Sequence, residues 1–408
     1  MRLLLLTGKG GVGKTTVAAA TAVHAARCGV KTLVASTDAA HSLGDALAAP
    51  VGSTPTEVAD GLFAQQVDAR ARGEQSWREV QEYLIGVLDA LGVDPVAAEE
   101  LTVLPGAEEV LALLEVRDQV RGGPWDLVVL DCAPTAETLR LLALPEALSR
   151  YLDRMLPVER RVLRALSAGR GAGTAGRTAR RGGVPVPRDS VVEAAERLHA
   201  ELNGVREVLT DTATSVRLVL TPETVVVAEA RRTWTSLALH GYRVDGVVAN
   251  RVIPAQGEDA WRSGWAAAQA VRLAEVGSSF APVPVLTVPY AAAEPVGAAA
   301  LADLGETLYG PAGAASARAL LAEPTGEAPL RVERSGPEFV LVLDLPLARR
   351  EDLELGRRGD DLLVGVGSAR RVIALPSALR RCRVVGAHLR DGRLRVRFEP
   401  DPELWRPL

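Results

Sequence analysis

Hydrophobic residues along this chain follow two different patterns. Up to about residue 320, short apolar runs such as Leu3–Leu6 and Leu127–Leu130 alternate with longer stretches in which apolar residues recur at helical spacing. The short runs predict buried strands and the longer stretches predict helices. After residue 330 the apolar residues follow a period of two, which predicts antiparallel strands. The pattern therefore predicts an α/β region followed by an all-β region.

These patterns predict two domains, and a chain of 408 residues is long enough to give each a core. Residues 1–322 are expected to form a doubly wound, mostly parallel sheet with helical insertions at about 68–122 and 141–212. Residues 323–330 contain Pro and Gly and predict a linker. Residues 331–402 predict a small β-sandwich.

A glycine-rich stretch separates the first predicted strand from the first predicted helix, which is the context of a phosphate-binding P-loop. Lys14 is expected to reach the β- and γ-phosphates of ATP, and the Thr15 hydroxyl is expected to ligate Mg²⁺. The predicted nucleotide-binding residues of the loop are Gly8, Lys9, Gly10, Gly11, Val12, Gly13, Lys14, Thr15 and Thr16. A glycine turn that carries lysines by chance is the alternative.

Lysine is scarce in the rest of the chain. Of the 47 basic residues only Lys9, Lys14 and Lys31 are lysines, and two of them stand in this loop. A compact ammonium fits among crowded phosphates where a planar guanidinium does not. Lys9 stands inside the loop at a position where the generic motif does not require a lysine.

Two carboxylates follow predicted strands. Asp38 comes after the strand Lys31–Ser36, and Asp131 ends the strand that begins near Trp125. Ligands of open α/β sheets bind at the carboxyl ends of strands, so both are expected to face the P-loop. Asp131 is predicted to act on Mg²⁺ through water, as a Walker-B aspartate does. The alternative for Asp38 is a helix N-cap, and an ordinary strand also often ends in Asp.

Asn250 follows another predicted strand, Val244–Ala249. Its amide both donates and accepts hydrogen bonds and can therefore bind an adenine edge. An asparagine in a turn is the alternative.

Composition excludes several classes of function. The formal net charge of −4 predicts no general affinity for nucleic acid or anionic membranes. We expect no secretion signal, and no apolar run reaches the ~18 residues that a membrane span needs. The three cysteines, Cys28, Cys132 and Cys382, form neither a disulfide framework nor a zinc pair. We therefore expect a cytoplasmic protein without structural zinc.

The first region resembles the arsenite-pump ATPase family, which includes the tail-anchored-protein-targeting ATPases. The resemblance rests on the P-loop with Lys9, on Ser36–Leu43, on Asp131–Arg140, on Thr221–Glu223 and on Asn250. It implies a Mg²⁺-dependent ATPase that acts as a homodimer in which Lys9 reaches the partner's phosphates.

The same resemblance assigns roles to residues of this chain. Lys9, Lys14 and Asp38 would be catalytic, with Asp38 positioning the attacking water. Asn250 and Pro289 would hold adenine. The switch residues would be His41, Pro134 and Thr135.

The chain also departs from the family. Ala39 replaces the usual Pro of the first switch segment, and Ala136-Glu137 replaces the Gly-His of the second. Where the targeting branch has zinc cysteines at the dimer interface, this chain carries Trp261 and Trp265.

Three functions follow from these features. The first is an ATP-driven switch that binds a hydrophobic protein client or a membrane partner through its helical insertion. The second is the motor subunit of a metalloid pump, and the third is an ATP-binding scaffold with little turnover.

The C-terminal region resembles the α-crystallin domain of small heat-shock proteins. The match runs from Phe339–Pro346 through Leu362–Val364 and Arg371–Pro376 to Ala387–Leu394. The resemblance implies a β-sandwich, and a role in holding clients or supporting a dimer is a hypothesis.

Overall fold

A computed structural model describes residues 1–38, 42–67, 107–132, 189–255, 259–325, 327–336 and 338–404. The chain divides into two compact units. The first consists of Met1–Gln66, Pro124–Leu139 and Leu209–Leu408, and the second of Val67–Gly123 and Arg140–Val208. Within the second unit, Arg121 on one helix forms an ion pair with Glu207 on another at 2.7 Å.

An eight-stranded sheet forms the centre of the first unit, with strand order β3-β4-β2-β5-β1-β6-β7-β8. All neighbouring strands are parallel except β3, which is antiparallel to β4. The strands are β1 (Arg2–Thr7), β2 (Thr32–Ser36), β3 (Thr56–Ala59), β4 (Leu62–Gln66), β5 (Leu127–Asp131), β6 (Thr214–Leu220), β7 (Val244–Val252) and β8 (Val285–Pro289).

Helices connect these strands, as a mostly parallel sheet requires. The helices of the described residues in this part of the chain are α1 (Lys14–Arg27), α2 (Ser42–Leu47), α3 (Ala107–Gly122), α4 (Asp189–Thr210), α5 (Thr224–Leu239), α6 (Ala260–Phe280), α7 (Gly297–Tyr309) and α8 (Ala314–Leu321). Of these, α3 and all but the last two residues of α4 belong to the second unit.

The central strand β1 lies between β5 and β6 and is buried along its whole length. Four successive leucines suit such a strand because both of its faces are covered. Alanines line the buried part of α1, and their small side chains let the helix approach the sheet closely. This packing holds the loop between β1 and α1 at the carboxyl edge of the sheet.

The C-terminal strands form two antiparallel sheets, with orders β14-β15-β10-β9 and β11-β12-β13. They share one core, which includes Leu341 and Phe398 from the first sheet and Leu362 and Ile373 from the second. The strands are β9 (Leu330–Ser335), β10 (Glu338–Asp344), β11 (Leu353–Arg358), β12 (Asp361–Val366), β13 (Ala369–Ala374), β14 (Cys382–Arg390) and β15 (Arg393–Pro400), and a short helix, α9 (Ser377–Arg380), precedes β14.

This β-sandwich docks on the end of α5. Leu239, the last residue of that helix, is fully buried within the core of the sandwich. Arg371 of β13 donates a hydrogen bond from Nη1 to the carbonyl oxygen of Leu239 at 2.7 Å. The guanidinium therefore satisfies a carbonyl at the end of α5 that has no partner within the helix.

The predicted fold class is confirmed: a mostly parallel sheet with helices precedes an antiparallel β-sandwich. The sequence patterns did not predict the hairpin formed by β3 and β4, nor helix α8. The hairpin strand Thr56–Ala59 is largely exposed and lacks apolar alternation, so it has no hydrophobic pattern to detect. Of the predicted helical insertions, residues 68–106 and 141–188 lie outside the described residues.

Within the described ranges, no helix is both long and apolar enough to span a membrane.

Candidate nucleotide-binding site

The P-loop occupies the turn between β1 and α1, as its sequence predicts. Gly13 adopts a left-handed backbone conformation with φ of 91°, which favours glycine. A Cβ atom at this position would lie 2.4 Å from the side-chain amide nitrogen of Asn250. At Gly8, a Cβ atom would lie 2.0 Å from the carbonyl oxygen of Val219 in β6. Close approach of β6 therefore requires glycine at position 8, whereas the left-handed backbone conformation requires it at position 13.

The two loop lysines differ in environment. Lys14 is buried, with a relative exposure of 6%, and its ammonium donates to the carbonyl oxygen of Lys9 at 3.4 Å. Lys9 has a side chain that is 39% exposed, and its ammonium lies 3.9 Å from a carboxylate oxygen of Glu229 on α5. An ion pair this long and this exposed is weak, so Lys9 can exchange Glu229 for another anion.

Asp131 forms a compact polar cluster below the loop. Its Oδ2 accepts hydrogen bonds from the Thr15 hydroxyl at 2.8 Å and from the Ser36 hydroxyl at 3.0 Å. The Ser42 hydroxyl lies 3.2 Å from that of Thr15. Asp131 is fully buried, and its Oδ1 has no hydrogen-bond partner among the described residues.

This cluster has the chemistry that Mg²⁺ requires. Mg²⁺ prefers hard oxygen ligands and usually keeps several waters, so a hydroxyl and a buried carboxylate oxygen suit it. A buried carboxylate oxygen without a partner is costly unless an ion or water satisfies it. Thr15 and Asp131 would therefore hold Mg²⁺, Asp131 through water.

Burial raises the pKa of the Asp131 carboxyl to about 6 because a charge is poorly solvated there. The hydrogen bonds from Thr15 and Ser36 and the charge of Lys14 oppose this shift, and the charge of Asp38 adds to it. The carboxyl thus changes charge close to neutral pH.

Asp38 lies at the same edge, after β2, and lines the cavity above the P-loop. Its backbone is held by two polar side chains. The Asp38 amide donates to the Ser36 hydroxyl at 3.2 Å, and the Gln66 amide donates to the Asp38 carbonyl at 2.9 Å. Gln66 ends β4, so strand order alone brings it to this position. No motif in the sequence pointed to Gln66, although a polar residue at a buried strand end is a usable signal.

On the other side of β1, Asn250 contacts the loop itself. Its amide donates to the carbonyl oxygen of Val12 at 2.8 Å, and its Oδ1 accepts from the amide of Arg251 at 2.9 Å. Asn250 is 8% exposed. These bonds show that Asn250 braces the P-loop, and its predicted contact with adenine stays a prediction. Pro289, which pairs with Val252 at the end of β8, is exposed at this edge, and its contact with adenine also stays a prediction.

These elements surround a cavity of about 1090 Å³ at the carboxyl edge of the sheet. Its lining combines P-loop residues with residues that follow β2 and β8 and with Arg251 of β7. The predicted site residues in the lining are Gly10, Gly11, Gly13, Lys14, Thr15, Thr16 and Asp38. Three predicted switch residues, His41, Pro134 and Thr135, lie outside the described residues.

The described residues contain no group of three or more His, Cys, Asp or Glu side chains placed to hold a metal ion. Cys132 is buried, and burial raises the pKa of its thiol. A thiol in that environment is a poor thiolate ligand.

Comparison with known proteins agrees with this geometry. The family profile of the anion-transporting ATPases matches residues 1–310, and the profile of an HSP20-like domain found in those ATPases matches residues 336–398. An uncharacterized protein of Streptomyces coelicolor is 43% identical over 408 residues, which covers 99% of both chains.

Two further relatives also match almost the whole chain. A Chlorobaculum tepidum protein named "Putative arsenical pump-driving ATPase" is 35% identical over 404 residues, covering 98% of this chain and 96% of its own. A Mycobacterium tuberculosis protein is 38% identical over 432 residues, covering 99% of this chain and 97% of its own.

Three findings lead to one assignment: a family profile spans most of the chain, relatives match it almost from end to end, and a P-loop has a buried aspartate beside it. The chain belongs to the anion-transporting ATPase family, in the form that carries an HSP20-like domain.

Proposed function

We propose that this protein binds Mg²⁺-ATP and hydrolyses it as a homodimer, and that the nucleotide state controls binding of a hydrophobic protein client. The observation that carries the proposal is the cluster of Thr15, Ser36 and Asp131 beneath a P-loop whose Lys14 is already buried at the loop. Family membership supports an ATPase. The dimer and the client are the further steps of the proposal.

Each side chain has a part that follows from its position. Lys14 binds the β- and γ-phosphates and offsets their charge. Asp38 accepts a hydrogen bond from the attacking water and orients it. Because a carboxylate is a weak base, this orientation contributes more than proton abstraction does. Mg²⁺, when bound, supplies further charge stabilisation to the phosphates.

Lys9 is the argument for a dimer. It is half-exposed at the mouth of the loop and weakly paired with Glu229, so its ammonium is available to phosphates outside its own subunit. A site completed by a second subunit makes hydrolysis depend on dimerisation. ATP then controls the shape of the dimer rather than a covalent reaction on the client.

The Asp38→Asn variant tests the catalytic assignment. It preserves size and one acceptor oxygen but removes the charge that orients water, so we expect ATP binding within about two-fold of wild type and turnover reduced about 100-fold or more. Binding is measured by titration calorimetry and turnover by phosphate release. Asp60→Asn, at an exposed turn between β3 and β4, is the control and should retain full turnover. Unchanged turnover in Asp38→Asn would remove Asp38 from the mechanism.

The same variant identifies the client. With ATP bound but not hydrolysed, the variant should remain in the client-bound or client-competent state. Affinity capture followed by mass spectrometry would then identify co-purifying proteins. Proteins with transmembrane segments would support a targeting role.

A metalloid-pump motor is the second candidate because one relative is named as an arsenical pump-driving ATPase. This function predicts that arsenite stimulates ATP turnover and that Cys→Ser substitutions at Cys28, Cys132 and Cys382 abolish the stimulation. Turnover that does not respond to arsenite would exclude it. A scaffold with little turnover is the third candidate, and it predicts that wild type and Asp38→Asn hydrolyse ATP equally slowly.

A further inference from the structure

Arg251 has an unusual backbone conformation beside the nucleotide cavity. It lies in β7 with φ of 56°, in the left-handed region that residues other than glycine rarely adopt. Its side chain is exposed and lines the cavity above the P-loop. The guanidinium makes no hydrogen bond or ion pair with a residue in the described part of the chain. A strained, unpaired arginine at a binding cavity indicates function.

Buried polar side chains on both sides hold this conformation. The Arg251 amide donates to Asn250 Oδ1 at 2.9 Å, and the Arg251 carbonyl accepts from Gln269 Nε2 at 3.2 Å. Gln269 Oε1 accepts from the amide of Ile253 at 2.7 Å. Gln269 lies on α6 and is only 5% exposed. Both the oxygen and the nitrogen of its side-chain amide thus form hydrogen bonds with the backbone at or near Arg251.

The sheet order indicates which part of a nucleotide Arg251 meets. On one side of β1, strands β5 and β2 lead to Asp131 and Asp38, which belong to the Mg²⁺ and γ-phosphate end of the site. Arg251 belongs to β7, on the other side of β1. A nucleotide whose terminal phosphate lies towards Asp131 and Asp38 therefore places its sugar and base towards β7.

We propose that Arg251 is a further nucleotide-binding residue whose planar guanidinium stacks on the purine base, and that Gln269 is a positioning residue that holds Arg251 in its left-handed conformation. The inference rests on the proposed binding of ATP. Arginine stacks on flat π-systems because its guanidinium is planar and weakly hydrated.

The remaining lining on this side fits a nucleoside. Glu294, Pro295 and Val296 border the same cavity. A carboxylate can accept hydrogen bonds from ribose hydroxyls, and apolar side chains can pack against the base. The phosphates already have Lys14 and the loop amides, so a second cation is not needed there.

The Arg251→Gly variant of the full chain tests the proposal. Glycine adopts φ of 56° without strain, so the melting temperature should stay equal or rise. We expect Mg²⁺-ATP to bind about ten-fold more weakly, while inorganic tripolyphosphate, which has no base, binds as to wild type. Arg251→Lys keeps the charge but loses the plane and should resemble Arg251→Gly.

A double-mutant cycle tests Gln269. Gln269→Leu should weaken ATP binding several-fold alone and add nothing in the Arg251→Gly background, because it acts through Arg251. Asp391→Gly is the matched control: Asp391 is exposed in the β-sandwich and has a similar φ of 51°. It should gain stability without changing nucleotide affinity.

Several results would overturn the inference. Wild-type ATP affinity in Arg251→Gly would remove Arg251 from the site. If Arg251→Gly loses affinity equally for ATP and tripolyphosphate, or if Arg251→Lys binds ATP as wild type does, then Arg251 acts through its charge on the phosphates and not by stacking on the base. Additive effects of the two substitutions would make Gln269 merely structural. If the wild-type protein binds tripolyphosphate but not ATP, or neither, the proposed function itself fails.

Discussion

Asp131 shows how a single residue links folding to ligand binding. Its carboxylate is buried, and only one of its two oxygens is satisfied by described side chains. Because burial raises the pKa from 3.8 to about 6, the folded chain holds this proton more tightly than the unfolded chain. The carboxyl thus destabilises the ligand-free fold increasingly as pH rises from about 4 to about 6, and Mg²⁺ would reverse that cost.

Asp131→Asn should therefore separate stability from binding. The neutral amide removes the cost of a buried charge, so the ligand-free variant should be more stable than wild type by about 1–3 kcal/mol above pH 6 and equally stable near pH 4. Urea unfolding at both pH values measures this. If Asp131→Asn is less stable than wild type at pH 7, the hydrogen bonds and charges around Asp131 already offset the cost of burying its ionised carboxylate.

The same carboxyl predicts the pH dependence of nucleotide binding. Affinity for Mg²⁺-ATP in wild type should rise between pH 5 and pH 6.5 and then level, because Mg²⁺ favours the ionised form of Asp131. Titration calorimetry across this range measures the effect. Asp131→Asn should bind weakly with no such rise, and a rise of equal size in the variant would assign it to another group.

At the scale of elements, helix α5 connects the nucleotide loop to the β-sandwich. Glu229 near its middle pairs with Lys9, and Leu239 at its end is buried in the core of the sandwich. Arg371 fixes that end by binding the Leu239 carbonyl. The HSP20-like domain thus packs against α5, a helix of the ATPase region, and is not attached only through its linker.

Arg371→Ala should loosen this attachment. It leaves the α5 carbonyl unsatisfied in a buried site, which costs about 1–3 kcal/mol. Hydrogen exchange should become faster in the last turn of α5 and in β13. Arg370→Ala is the control on the neighbouring position, since Arg370 is exposed and pairs with an exposed Glu354. It should change stability by less than about 0.5 kcal/mol. Unchanged exchange in Arg371→Ala would mean that apolar packing alone holds the sandwich.

At the scale of the whole molecule, the question is whether Lys9 acts within its own subunit. If it reaches the partner's phosphates, the Lys9→Ala and Asp38→Asn variants should each be inactive yet complement one another. In a mixed dimer the Lys9→Ala subunit keeps Asp38 and receives Lys9 from its partner. Equal mixing should then restore about a quarter of wild-type turnover, since half of the dimers are mixed and each has one complete site.

Phosphate release from the mixture measures this complementation. Each variant alone at the same total concentration is the control. A mixture that remains inactive, although both variants dimerise, would place Lys9 in its own subunit's site.

The P-loop, the strand before it and the helix after it could be predicted from sequence because each depends on neighbouring residues. Gly13 must be glycine because of local backbone geometry, and Leu3–Leu6 predict a buried strand by themselves. The same holds for the alternating strands of the β-sandwich. Asp38 and Asp131 could be placed at the carboxyl edge because parallel strands present their ends together.

What only the tertiary structure decided are contacts between residues far apart in the chain. Asn250 braces Val12, Gln66 holds Asp38, Gln269 holds Arg251, and Arg371 binds the end of α5. These pairs depend on strand order and on burial. Hydrophobic periodicity does not encode them, because it shows which face of an element is buried but not which other element packs against that face. The sequence thus determined that this chain has a phosphate loop and two kinds of fold, whereas packing decided how strongly Asp131 holds its proton and which arginine lines the cavity above the P-loop.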